Sequence, residues 1–280
     1  MNTKTKLIIM ALLTTLQGYA LGSPLPDENR FDKEHDLLIM QFDCKTDVDD
    51  IHAAAAFATL LTNSTFCTIH FHAVAGTYGI QKGAYVPPNK LFNLAFKKDE
   101  WTDANQNVEK AITRVKAIAE KSLSAGDDVW IAEAGQADFT SALLKAIQTD
   151  QPNLNTKKHI HVVQHSNWNE KETDPMKLKF VMEYTDYQKI PDGNNGNNGT
   201  PDYQTAQKLN IQELFTDLYL IKIWQCANET TQKYNGQDGR YKNKTIAAGG
   251  FDFSDLVEVG WILGINDIED TQEFFKRYAH

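Results

Sequence analysis

Asp43-Cys44-Lys45-Thr46-Asp47-Val48-Asp49-Asp50 sets four carboxylates within eight residues. The run follows the apolar Leu37–Phe42 and precedes the small-residue stretch Ile51-His52-Ala53-Ala54-Ala55-Ala56-Phe57. Acids crowded at a strand-to-helix turn repel and raise one another's pKa unless a cation neutralises them. Oxygen donors in that number suit a hard cation such as Ca²⁺ better than zinc or copper. The turn therefore reads as the floor of a metal site. Asp49 and Asp50 alone are also what N-capping and the helix macrodipole favour. Asp43, at the end of a buried strand, has no such excuse for its desolvation cost. The spacing fails the EF-hand loop, because Lys45 and Val48 interrupt the alternating acids. It also fails the haloacid-dehalogenase pattern, whose second Asp would stand at Lys45.

Strand-like and helix-like runs alternate around this turn. Leu37–Phe42, Cys67–Val74, Val129–Ala132 and Ile160–Val163 read as strands. Helices are predicted over about 50–61, 104–122, 139–147 and 211–232, the second from Val108, Ala111, Ile112, Val115, Ile118 and Ala119 at three-and-four spacing. Such alternation predicts an α/β fold, a mostly parallel central sheet with helices on both faces. Asp192–Pro201 has turn chemistry throughout and reads as a surface loop or a lid.

In open α/β sheets ligands bind beyond the carboxyl ends of the strands. The turns after the four strands should therefore converge. They carry the Asp cluster, then Gly76-Thr77-Tyr78-Gly79-Ile80-Gln81, then Glu133-Ala134-Gly135-Gln136-Ala137-Asp138, then His165-Ser166-Asn167-Trp168-Asn169. Each has a plain structural explanation: Gly for backbone conformation, Asp138 as an N-cap, Trp168 as cover for an apolar patch. Asn167 and Asn169 beside Trp168 suit a sugar, whose hydroxyls meet amides while its ring face meets indole.

With these turns in view the chain resembles the Ca²⁺-dependent nucleoside hydrolases, the inosine/uridine-preferring family, as a divergent secreted member. The family opens with DTD-P-G-x-DD or DTD-x-G-x-D-x-DD. Aligning the last two acids puts Asp43 on the second Asp of the longer form and Asp47, Asp49 and Asp50 on its tail, while Gln41 replaces its first Asp and Lys45 its Gly. Gly76-Thr77-Tyr78-Gly79 resembles the T-V-x-G-N turn, with Ile80 in the Asn place. Ala134–Phe139 resembles G-P-L-T-N, and His165-Ser166-Asn167-Trp168 falls on E-F-N and its following aromatic, with His165 in the Glu place. Gly249–Val259 resembles the late H-D turn, with Ser254 in the His place.

The resemblance implies Ca²⁺ held by Asp43, Asp49, Asp50 and Asp255, with Asp252 in reserve and a backbone carbonyl near Gln136. Asp43 would be the general base, and His165 is the candidate to protonate the leaving group. Asn167, Trp168, Asn169, Asp47 and Gln81 would contact substrate. The implied activity is hydrolysis of N-glycosidic bonds in a small nucleoside or ribosyl compound. A binding protein that kept the metal and lost catalysis ranks second, and hydrolysis of another glycoside or ester third. Family members are often oligomers, which makes a homo-oligomer possible.

Residues 1–22 read as a secretory signal: Lys4 and Lys6, an apolar run from Leu7 to Leu13, then small residues near Ala20-Leu21-Gly22. The expected organisation is that signal followed by one domain over 23–280, secreted or periplasmic, with no membrane span after cleavage. The net charge of −9 argues against nucleic acid or an anionic membrane as partner. Three cysteines leave at least one unpaired within the chain, and a Cys67–Cys226 bridge is one option.

Overall fold

Along β1 (Leu37–Phe42) the side chains divide by period two: Leu38, Met40 and Phe42 enter one apolar layer, Leu37 and Ile39 the other. β4 (Val129–Ala134) repeats this, with Trp130, Ala132 and Ala134 on the first side and Val129 and Ile131 on the second. A strand buried on both faces needs helices on both. The computed structural model, which describes residues 30–265 and 267–279, has that arrangement. The predicted signal lies outside the described residues.

Between β1 and β4 run α1 (Asp49–Thr62), β2 (His70–Ala75), α2 (Asn89–Ala95), β3 (Trp101–Asp103) and α3 (Val108–Ala125). After β4 come α4 (Asp138–Asp150), α5 (Thr156–His159), β5 (Ile160–Gln164), α6 (Asn167–Glu172), α7 (Pro175–Tyr184) and β6 (Asp186–Lys189). The C-terminal part holds β7 (Gln204–Thr205), α8 (Ile211–Leu214), α9 (Leu218–Tyr234), α10 (Lys244–Ala247), β8 (Phe251–Asp252), a 3-10 turn at Ser254–Leu256, α11 (Val257–Leu263) and α12 (Thr271–Tyr278). The large sheet is all parallel, in the order β3-β2-β1-β4-β5-β6. α1, α2, α9, α11 and α12 pack on one face, and α3, α4 and α7 on the other.

The order reverses between β1 and β4, the switch point where such sheets open a crevice. Register makes the crevice level: Phe42 pairs with Ala75 on one side and Ala134 on the other. Asp43, Gly76 and Gly135 therefore leave the sheet at one height. This is the parallel, doubly covered sheet the sequence predicts. No helix among the described residues is long and apolar enough to cross a membrane.

Several boundaries differ from expectation. Cys67–Ile69 is a turn, with Cys67 N–H donating to the Asn63 carbonyl and Ile69 N–H to that of Phe66, so β2 starts at His70. α3 starts at Val108, because Ala104 N–H donates to the Ala75 carbonyl and Asn107 caps the helix. The expected helix over 211–232 is two, since Asp217 starts a new one by accepting from Tyr219 N–H. All three cysteines are unpaired, Cys67 being exposed and Cys44 and Cys226 buried.

Candidate metal centre and cavity

The acidic turn folds back on itself. Cys44 adopts a left-handed φ of 51°, and its N–H donates to Asp50 Oδ2. Asp49 and Asp50 are the first two residues of α1 and do not cap it; Val48 holds that position without a side-chain bond. Asp255, in the 3-10 turn before α11, packs against α1 from the far end of the chain. Asp49, Asp50 and Asp255 each offer a carboxylate oxygen within 4.8 Å of the others, and all three are buried. Asp50 Oδ1 is buried without a hydrogen-bond partner. Three buried carboxylates with an orphaned oxygen, and no Lys or Arg ion-paired with them among the described residues, fit a hard divalent cation. Desolvation first, then repulsion from neighbouring carboxylates, pushes all three pKa values well above the carboxylate range; the strongest repulsion comes from Asp47 and then Asp252 for Asp49, from Asp43 for Asp50 and from Asp49 for Asp255.

Asp43 lies outside this trio. Its Oδ1 accepts from Lys45 N–H at 2.6 Å, and its Oδ2 from Gln81 Nε2 at 3.1 Å and Gln136 Nε2 at 3.0 Å. Burial raises its pKa to about 6 against those donors. The Gln136 and Gln81 side chains are therefore props for Asp43. Gln136 also donates to Asn169 Oδ1 at 3.3 Å and accepts from Gly79 N–H at 3.1 Å, while Gln81 Nε2 donates to Gln136 Oε1. With those bonds made, the Gln136 and Gln81 side chains are tied to Asp43 and to each other, and neither is in the cavity wall.

A cavity of about 350 Å³ opens beside these groups, with Asp43, Asp47, Asp49 and Asp255 in its wall. Burial and then the nearby Asp252 raise Asp47 to about 7, against donors from Val48 N–H and Asn243. Asp252 itself is taken by Asn243 Nδ2 at 2.7 Å and by Ser254 Oγ at 2.9 Å, so Asp255, not the reserve, joins the trio. His165 reaches the wall from the end of β5. Its Nδ1 faces Glu258 Oε1 at 2.6 Å and its Nε2 is 3.6 Å from Asp255 Oδ1.

Of the α6 residues expected to meet substrate, Trp168 and Asn169 line the cavity. Trp168 is 43% exposed, as a wall for a ring would be, rather than sealed over a patch. Asn167, expected to meet substrate, is not in the cavity wall: it is exposed and accepts from Lys189 Nζ at 2.5 Å. Two residues apart on α6, the two amides point to opposite sides of the helix, so only Asn169 lines the cavity. The Asp192–Pro201 loop supplies wall through Asp192 and Asn194. Sequence reasoning missed Asn194, Tyr241 and Glu258. For Glu258 the signal was present, an acid within the otherwise apolar Val257–Leu263.

Gly135 passes close under Asp43: a Cβ there would sit 2.7 Å from Asp43 Cβ. Gly135→Ala is therefore expected to displace Asp43. If Asp43 acts on substrate, turnover should fall about 100-fold while cation binding by the trio persists, a split that calorimetry and steady-state kinetics on one preparation would reveal. Comparison with protein-family models, with curated proteins and with solved structures finds no match to this chain.

Proposed function

We propose that the protein is a Ca²⁺-dependent hydrolase of N-glycosidic bonds in nucleosides or related ribosyl compounds, akin to the nucleoside hydrolases. The observation that carries this reading is the buried Asp49–Asp50–Asp255 trio set beside a cavity with a separately held carboxylate, Asp43. Asp49, Asp50 and Asp255 would hold the ion. When bound, Ca²⁺ would supply a Lewis acid and a template for vicinal hydroxyls.

Asp43, gripped by three N–H donors, accepts a proton from the attacking water. The water oxygen bonds to the anomeric carbon as the bond to the leaving nitrogen breaks, and the carboxylates stabilise the oxocarbenium-like charge between. His165, braced by Glu258, faces the cavity as the proton donor to the departing group. Trp168 offers a flat apolar face and Asn169 an amide beside it. The N-terminal pattern extends the proposal to action outside the cytoplasm.

One observation favours a second reading, a sugar- or nucleoside-binding protein. Ser254, in the place of the family's His, spends its hydroxyl on Asp252 and Asn194 and supplies no acid. A nucleoside panel incubated with Ca²⁺ or with chelator separates the two. Free sugar appearing only with Ca²⁺ supports the hydrolase; thermal stabilisation by nucleoside in Ca²⁺ without product supports the binder.

A further inference from the structure

The end of the sheet opposite the cavity holds a second cluster of titratable groups. His161 on β5 is 2% exposed. Its Nδ1 lies 2.9 Å from Asp186 Oδ2 and its Nε2 3.2 Å from Asp128 Oδ2. A neutral imidazole has one N–H, so it can donate to only one of these carboxylates. Its bare nitrogen would then set a lone pair against the other oxygen. Only an imidazolium satisfies both contacts. Trp130 stacks on the ring at 4.1 Å with 19° between planes, an arrangement that favours a cation.

Other charged groups around it are few. His159 Nδ1 meets Asp128 Oδ1 at 2.7 Å, Asp36 accepts from Trp130 Nε1 and Asp128 N–H, and Lys157 acts on Asp186 through space. Gln188 Nε2 donates to Asp186 at 2.8 Å. Burial opposes a charge on His161, the two carboxylates outweigh it, and its pKa is raised. The same contact lowers that of Asp186.

These groups span three adjacent strands: Asp128 precedes β4, His161 is on β5, and Asp186 begins the edge strand β6. Further along, β6 holds α6. Tyr187 Oη donates to Gln164 at 2.8 Å and Glu170 at 3.2 Å, and Lys189 Nζ donates to Asn167 and to Glu170 Oε2, each at 2.5 Å. α6 in turn carries Trp168 and Asn169 of the cavity wall.

We propose that His161 is a pH-operated clamp, tying β6 to β4 and β5 as an imidazolium and, on losing its proton, loosening β6 together with the α6 wall of the cavity. A raised folded pKa means that the stabilisation is complete below the unfolded value, about 6.5, and is lost as pH rises through the folded one. The clamp does not depend on the activity proposed for the cavity.

The test is nitrogen NMR of the histidines in the full chain, with amide hydrogen exchange followed against pH. Both His161 nitrogens should be protonated at pH 7. Exchange at 186–189 and 167–172, corrected for intrinsic rate, should rise about 10-fold across the transition. His161→Gln, which keeps a donor without the charge, should remove that pH dependence, and His159→Gln should retain it. A single protonated nitrogen on His161 at pH 7, or an unchanged pH dependence in His161→Gln, would overturn the proposal.

Discussion

Asp49→Ala is expected to abolish both Ca²⁺ binding and turnover. Asp49 contributes one oxygen to a trio confined within 4.8 Å, and the alanine leaves Asp50 and Asp255 to bind the ion alone. Removing a preorganised electrostatic contact of this kind costs about 10²–10³ in rate, and loss of the ion itself costs more. The fold should survive, because the substitution removes mutual repulsion from a crowded, buried set of acids. Calorimetric titration with Ca²⁺ and a sugar-release assay on the same sample check both halves. Full activity in the variant would remove Asp49 from the site, and lost activity with intact Ca²⁺ binding would move its role from ligand to substrate contact.

The second large effect is on stability. Burial holds Asp43 at about 6 and Asp47 at about 7, and Asp49, Asp50 and Asp255 are also raised well above the usual carboxylate range, against about 3.9 in an unfolded chain. In acid these carboxyls are protonated in both states and carry no penalty. As pH rises from about 4 through about 7, the unfolded chain releases protons that the fold retains, so the cation-free protein loses stability across that window. A cation that binds only the folded state reverses the loss by mass action.

Ca²⁺ should therefore raise the melting temperature little at pH 4.5 and by roughly 5–10 °C at pH 7.5, each kcal/mol moving it about 2–4 °C in a chain of this size. Asp49→Ala should flatten the difference. A Ca²⁺ shift equal at both pH values would mean that the ion does not bind at these carboxylates.

How far the sequence foretold this arrangement depends on where each residue lies. The Asp43–Asp50 turn was legible because its acids are neighbours and follow an unmistakable buried strand. The central strands and their helices were legible because both faces of each strand are apolar. β3 and β6 were not, since edge strands such as Trp101–Asp103 and Asp186–Lys189 are short, polar and half-buried.

The inward amide of α6 was ambiguous for a different reason. Asn167 and Asn169 flank Trp168 equally in sequence, but two residues apart on α6 they point to opposite sides, and only the packing of α6 decides that Asn169 faces the cavity. Glu258 meets His165 across 93 residues. No local pattern announces such a pair; the topology that carries α11 back over the ends of β4 and β5 creates it.

The central claim is that the cavity beside the carboxylate trio hydrolyses N-glycosidic bonds with Ca²⁺. Reducing-sugar release from purine and pyrimidine nucleosides, with Ca²⁺ and with chelator, measures it directly. The expected result is release that stops on chelation and resumes when Ca²⁺ is restored. No release from any nucleoside by protein that demonstrably binds Ca²⁺ would contradict it.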